Sequence, residues 1–143
     1  MSSFFTNRAK KRAFEILFNS GTVPSNYYAY LIASGAPTVD TNTWSDLSAN
    51  ESDYYAAPLK LDLDPGELGT VTEDDVNDYA YTEVPDLVFT AAGGDLSATW
   101  CIITDDNVTE GSRDVFICLD LSGTKTVSDT QTLTLSNTTL RCT

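Results

Sequence analysis

Residues 96–140 read LSATWCIITDDNVTEGSRDVFICLDLSGTKTVSDTQTLTLSNTTL, and their period of two decides the fold class. In the first segment Leu96, Ala98, Trp100 and Ile102 alternate with Ser97, Thr99 and Cys101. In the second, Val115, Ile117, Leu119 and Leu121 alternate with Asp114, Phe116, Cys118 and Asp120. Thr132, Leu133, Thr134 and Leu135 repeat the pattern. Such alternation sets one apolar face against a core and one polar face toward water. Three successive strands are therefore expected, running as a meander. If 96–104 and 113–121 pair as a hairpin across the loop 105–112, Cys101 and Cys118 fall nearly opposite each other on the more polar face. Neighbouring strands do not guarantee disulfide geometry, and no bond is expected in the reducing compartment inferred below.

Upstream of this stretch the chain adds strands and one helix. Thr6 and Asn7 are cap residues for a helix running to about Asn19 and stopped at Gly21. Phe5, Ala9, Ala13, Ile16 and Leu17 lie on one face at helical spacing, and Phe14 and Phe18 widen that stripe. The expectation is a helix packed on the sheet by its apolar side, with Arg8, Lys10, Lys11 and Arg12 solvated. The alternative is a docking helix whose basic side meets an acidic patch on a neighbour. YYAYLIA (27–33) reads as a strand. Residues 34–53 carry no periodicity and read as a long loop, within which Trp44 and Leu47 could fold back as an apolar patch. Residues 54–63 resume strand character, placed near a sheet edge by Pro58. GTVTEDDVNDYAYTEVP (69–85) is acidic and weakly patterned, and DLVFT (86–90) is a short strand.

No helix is expected between strands, so the sheets should be mainly antiparallel. The fold class is mainly β: an antiparallel β-sandwich or jelly-roll-like body with one N-terminal amphipathic α-helix. The 143 residues read as a single β-rich domain, with 1–21 as a helical arm and 22–143 as the β body.

Charge narrows the function. Eight Lys+Arg against 21 Asp+Glu give a net charge of −13. Such a chain lacks the basic surface that phosphate neutralisation requires, so nucleic acid is not an expected partner, and an anionic membrane would repel it. Half of the basic residues sit at positions 8–12, making a basic arm on an acidic body. The charges of MSSFFTNRAKKRAFEILF fall mid-segment rather than ahead of a clean apolar run, so no secretion signal is read. Cys101, Cys118 and Cys142 show no metal-ligand spacing, and there is no histidine. These features suit buried or idle thiols in a protein assembled in a reducing cytoplasm.

Catalytic chemistry finds no foothold. Without histidine, a general base or activated nucleophile would need another positioned group. No serine sits in a G-x-S-x-G elbow and no phosphate-binding fingerprint occurs. Carboxylates recur at close spacing in Asp62, Asp64 and Glu67, in Glu73, Asp74, Asp75 and Asp78, and in Asp105, Asp106 and Glu110. None fits the twelve-residue calcium loop, so solvated acidic loops are expected, a calcium site of another geometry is the minor alternative, and no metal or cofactor is assigned. A small-molecule ligand is not expected either. Trp44, Tyr54 and Tyr55 are the aromatic residues that could form a sugar platform beside those loops, although aromatic side chains more often serve as core or interface anchors.

The order of local patterns resembles a family of small virion proteins of tailed bacteriophages, labelled tail-fibre-like or minor structural proteins. TNRAKKRAFEILFNSG leading into YYAYLIASGAPT is similar to that family's amphipathic helix and aromatic-aliphatic strand. VPDLVFTAAGGDLSATWCIITDD and DVFICLDLSGTKTVSDTQTLTLSNTTL resemble its Trp-containing strand and closing segment. The chain departs at Ala49, Asn50, Glu51, Ser52 and Asp53, where the family tends to be Gly-rich, and in its acidic insertion 66–81. The resemblance implies a non-enzymatic structural protein of the virion, assembled in the host cytoplasm. The leading expectation is an oligomeric capsid decoration (cement) protein, with major capsid or tail proteins of the same virion as partners. A tail, neck or fibre-attachment protein and a host-surface glycan-binding module are the alternatives. The expected contact residues are Arg8, Lys10, Lys11, Arg12, Phe14, Phe18, Trp44, Tyr54 and Tyr55.

Overall fold

A computed structural model describes residues 3–57, 59–61, 70–136 and 138–142, with the side chains of 59–61 left aside. Among them, ten strands and one α-helix follow in the order β1 (Phe4–Phe5), α1 (Asn7–Phe18), β2 (Tyr27–Ile32), β3 (Leu59–Leu61), β4 (Thr72–Asp74), β5 (Tyr79–Val84), β6 (Leu87–Thr90), β7 (Leu96–Thr104), β8 (Val115–Val127), β9 (Thr132–Leu135) and β10 (Thr138–Cys142). The fold is mainly β with antiparallel sheets and one helix near the N-terminus, as the alternation implied.

A five-stranded sheet of order β1-β8-β7-β2-β3 forms the centre, with β10-β5-β4 and β6-β9 as smaller sheets. The smaller sheets lie over one face of the large one. Ala29, Leu31, Cys101, Ile103 and Leu119 from the large sheet pack there with Val84, Leu87, Phe89 and Leu140, giving a sandwich-like core. The opposite face is also covered. Tyr30, Ile32, Trp100, Ile102, Val115 and Cys118 pack under Trp44 and Leu47 of the 34–53 loop. That loop thus folds back as its two apolar residues suggested, through two 3₁₀ turns at Trp44–Asp46 and Ser48–Asn50. Trp44 stacks on Tyr30 with ring centroids 3.9 Å apart.

Covering both faces overturns the picture of one polar side. β7 pairs with β8 as expected, but a register shift falls between Ala98 and Trp100. Leu96 and Ala98 therefore enter one core cluster, whereas Trp100 and Ile102 enter the other. At this break Thr99 of β7 stands against residues 121–124 of β8, and the strand's inward set turns to the other face. A second shift, between Ile103 and Thr104, corrects the cysteine placement. Cys101 pairs with Leu119 and Cys118 with Ile102, which puts the two thiols on opposite faces of the sheet. Both are fully buried rather than on a polar face, and all three cysteines are free.

The meander also fails. β9 leaves β8 and pairs with β6, from Leu87 opposite Leu135 to Thr90 opposite Thr132. The acidic segment after residue 69 is a hairpin, β4–β5, and β5 in turn pairs with β10. Asp74 makes its turn, accepting from the Val76 and Asn77 backbone N–H groups at 3.1 Å each. Strand character around 54–57 is absent apart from a single bridge between Tyr55 and Ala91, and β3 closes one edge of the large sheet. Pro58 and residues 62–63 lie outside the described residues.

Candidate docking surface

Helix α1 begins where its capping residue is pinned to the sheet. Thr6 is buried, and its Oγ1 accepts from Ala9 N–H at 3.2 Å while donating to the Val115 carbonyl. Thr6 N–H bonds the Phe116 carbonyl at 3.0 Å, and Asn7 N–H the Val39 carbonyl at 2.7 Å. Ser20 adopts φ 54 after the helix, and Gly21 N–H returns to the Glu15 carbonyl at 2.8 Å. A Cβ at Gly21 would meet the Glu15 carbonyl carbon at 2.8 Å, which explains glycine at that stop.

Between these ends the helix adds two arginines to the side it turns to the body. Arg8 Nε lies 3.5 Å from Asp114 Oδ1. Arg12 Nη2 reaches Asp114 Oδ2 at 3.3 Å and Asp105 Oδ2 at 3.7 Å. The two arginines are one turn and a fraction apart, so both point the same way. Burial raises the Asp105 carboxyl pKa, opposed by the backbone N–H groups of Asn107 and Asp114 that bond it. The guanidinium of Arg12 is held in the same enclosure, with its Nε shielded from solvent and without a hydrogen-bond partner.

What remains outside is apolar. Phe14 is 63% exposed, and Leu17 and Phe18 are each 73% exposed. The Phe14 and Phe18 rings stack with centroids 5.9 Å apart. No residue of α1 is buried. The expected core-packing helix with a solvated basic side holds in part: Ala9, Ala13 and Ile16 face the sheets and Lys10 and Lys11 stay exposed, but Arg8 and Arg12 reach the body and the bulkiest apolar side chains, Phe14, Leu17 and Phe18, face water. The reason is the body's charge, since the carboxylates of Asp105 and Asp114 are there to receive the arginines. Lys10 and Lys11 stay exposed beside the ridge, Lys11 pairing with Glu15 at 3.3 Å.

Along the ridge runs a groove of about 290 Å³ between α1 and the sheets. Ala9, Ala13 and Ile16 form its helix wall, Ile103 and Ile117 its floor, and Leu140 part of its far wall. Its lining is almost wholly apolar. Cys142 lines both this groove and an adjoining concavity formed by Glu73, Asp74, Asp75 and Asp78 of the β4–β5 hairpin.

The aromatic platform does not form. Trp44 is 2% exposed, inside the core beneath Tyr30. Tyr55 is half-buried, its hydroxyl donating to Glu51 at 2.8 Å and accepting from Leu31 N–H. Burial raises the pKa of both the Tyr55 hydroxyl and the Glu51 carboxyl. Tyr54 alone is open; its ring lies over Gly94, where a Cβ would come within 2.9 Å of three ring atoms. The other loop acids also serve structure: Glu110 accepts from the Tyr30 hydroxyl at 2.9 Å, and Arg113 bonds the same hydroxyl while lying 3.8 Å over the Tyr28 ring. Among the described residues no three His, Cys, Asp or Glu side chains converge in a metal-binding group, and no helix is long and apolar enough to cross a membrane. The first acidic cluster, from Asp62 to Glu67, lies outside the described residues.

Asp114 and the groove were not among the features singled out from sequence, and Asp105 was named only as part of a solvated acidic loop. The four-residue spacing of Arg8 and Arg12 was the available signal, but it cannot say which carboxylates lie across from it. Comparison of the chain with family models and with curated proteins finds no match.

Proposed function

We propose that this chain is a non-enzymatic assembly protein that joins a larger particle through the outward face of α1. The carrying observation is the exposed ridge of Phe14, Leu17 and Phe18 on a helix fastened to its own body by Arg8 and Arg12. Each such side chain left in water forgoes about 1.5–3 kcal/mol of burial. Ion pairs hold the helix so that this surface is presented already ordered, which lowers the entropic cost of docking. Exposed apolar clusters of this kind mark interaction sites.

The resemblance of the helix and closing strands to small bacteriophage virion proteins supplies the setting: a capsid decoration protein bound to the viral shell, with attachment at the tail or neck as the second reading. A compact acidic body with one anchoring helix suits coating a lattice, because its charge discourages unwanted association away from the particle. The glycan-binding alternative loses its support with Trp44 in the core.

Mass spectrometry of purified particles tests this reading. A copy number comparable to that of the major capsid protein is expected for decoration, and a few copies for a tail or neck protein. Particles assembled with the Phe14→Ser/Phe18→Ser variant should lack the protein while its circular dichroism stays unchanged. Undiminished incorporation of that variant would remove α1 as the docking element.

A further inference from the structure

The ridge and the groove adjoin along one helix, and each is apolar where a lone protein would gain by being polar. We infer that the occupant of the groove is the ridge of a second copy of this chain, seated reciprocally in a two-fold dimer. This inference rests on the docking role of α1 proposed above and names the partner.

Three observations carry it. First, shape and chemistry match within one surface. Leu17 and the stacked Phe14 and Phe18 stand out from the helix, and Ala9, Ala13 and Ile16 beside them line a recess of about 290 Å³. A two-fold axis beside the helix lets each copy give its ridge and receive the other, as an isologous contact requires. Second, charge is complementary. The ridge is flanked by Lys10 and Lys11, and the groove leads past Cys142 to Glu73, Asp75 and Asp78, all exposed. Seating the ridge brings the lysines of one copy toward the acidic hairpin of the other. Without that contact, copies of a chain of net charge −13 would repel each other. Third, area favours the groove over ridge-on-ridge packing. Three exposed side chains fall well short of the roughly 800 Å² per partner of a standard stable interface, so a ridge-to-ridge contact would be too small.

Sedimentation equilibrium on the purified full chain tests the inference. A dimer is expected, with Leu17→Glu weakening it at least tenfold and Ala13→Trp, which fills the groove, doing the same. An equimolar mixture of these two variants should associate more tightly than either alone, because the ridge of one still enters the groove of the other. Lys10→Glu/Lys11→Glu should also weaken the dimer, and Asp75→Lys/Asp78→Lys in the same chain should restore part of the loss. Circular dichroism establishes that each variant is folded. A wild-type chain that stays monomeric at high concentration overturns the inference, as does an Ala13→Trp chain that dimerises normally. The assembly role fails separately: a monomer whose ridge variants are still lost from particles removes the two-copy contact alone, whereas ridge variants that enter particles normally remove the docking role itself.

Discussion

β7 and α1 both carry apolar residues at the spacing of their own secondary structure, yet they end in opposite environments. Leu96, Ala98, Cys101 and Ile102 of β7 have no exposure at all, with Trp100 and Ile103 nearly so, whereas α1 buries none of its residues. The strand is held by apolar contact on both faces. The helix is held by a capped end and by arginines reaching two carboxylates. An amphipathic pattern states that a face will be covered; it does not state that the chain covers it alone. In β7 the cover is intramolecular, and in α1 the best apolar side chains remain available to a partner.

Truncating a core residue and a ridge residue is the strongest way to break that contrast. Ile103→Ala should lower unfolding free energy by about 2–5 kcal/mol, a cavity in a sealed core being only partly relaxed. Leu17→Ala should change it by less than about 0.5 kcal/mol, as for other exposed positions. Urea denaturation at a concentration where the protein is monomeric measures both, and similar losses would make α1 a core element after all.

The polar attachment of the helix gives the next effect. Arg12→Ala leaves Asp105 without its guanidinium and Asp114 with Arg8 alone, and should cost about 1–3 kcal/mol, the range for hydrogen bonds to charged groups. Lys11→Ala, which removes only an exposed pair with Glu15, should cost under about 0.5 kcal/mol. Hydrogen exchange adds the location: protection should fall in Asn7–Phe18 of the Arg12 variant and stay constant in Leu96–Thr104. Equal loss in both elements would show that the arginine supports the whole body rather than the helix.

Thiol reactivity sharpens the picture of the sheet. Cys142 is exposed, while Cys101 and Cys118 are buried on opposite faces, burial raising both thiols and taking Cys118 to about 12. One thiol per chain should react with an aromatic disulfide reagent in the native protein, and the other two only on unfolding. Rapid reaction of all three would open one of the two covered faces.

The smallest effect is that of pH. Burial holds Asp105 and Glu51 above their ordinary carboxyl range. The native state then takes up protons at a higher pH than the unfolded chain, so stability rises as pH falls through the raised native values and levels off below the ordinary carboxyl values. Relief of self-repulsion among the many carboxylates acts in the same direction. Asp74, held below its usual range by Asn77, acts oppositely, its contribution being lost as pH falls through its lowered native value, but it is at the surface. The urea midpoint should therefore increase modestly over this range, and a decrease would mean that the ion pairs to Arg12 outweigh the burial of Asp105.

How far the sequence could be read varied with the range of the interactions involved. The β7–β8 hairpin, the helix with Thr6 as its cap and the infolding of Trp44 and Leu47 were legible, because each follows from a local period, a cap or two apolar residues stranded in a polar loop. The strand at Tyr79–Val84 was not, since YAYTEV lies among acidic turn residues and gains its strand partners from Thr72–Asp74 and from Thr138–Cys142. The candidate surface was half legible: Lys10, Lys11, Phe14 and Phe18 were named, but Arg8 and Arg12 were placed on the wrong side of the helix.

The sequence by itself determined the antiparallel β class, the single N-terminal helix and the segregation of charge, all of which are local or compositional properties. Tertiary structure alone decided which strands meet. It decided that a register break at Thr99 turns β7 from one core to the other, and that a second break between Ile103 and Thr104 parts Cys101 from Cys118. It also decided that Phe14, Leu17 and Phe18 face outward. Pattern fixes the faces of an element relative to one another; their direction in space depends on what the rest of the chain sets opposite them, here the carboxylates of Asp105 and Asp114 across from Arg8 and Arg12.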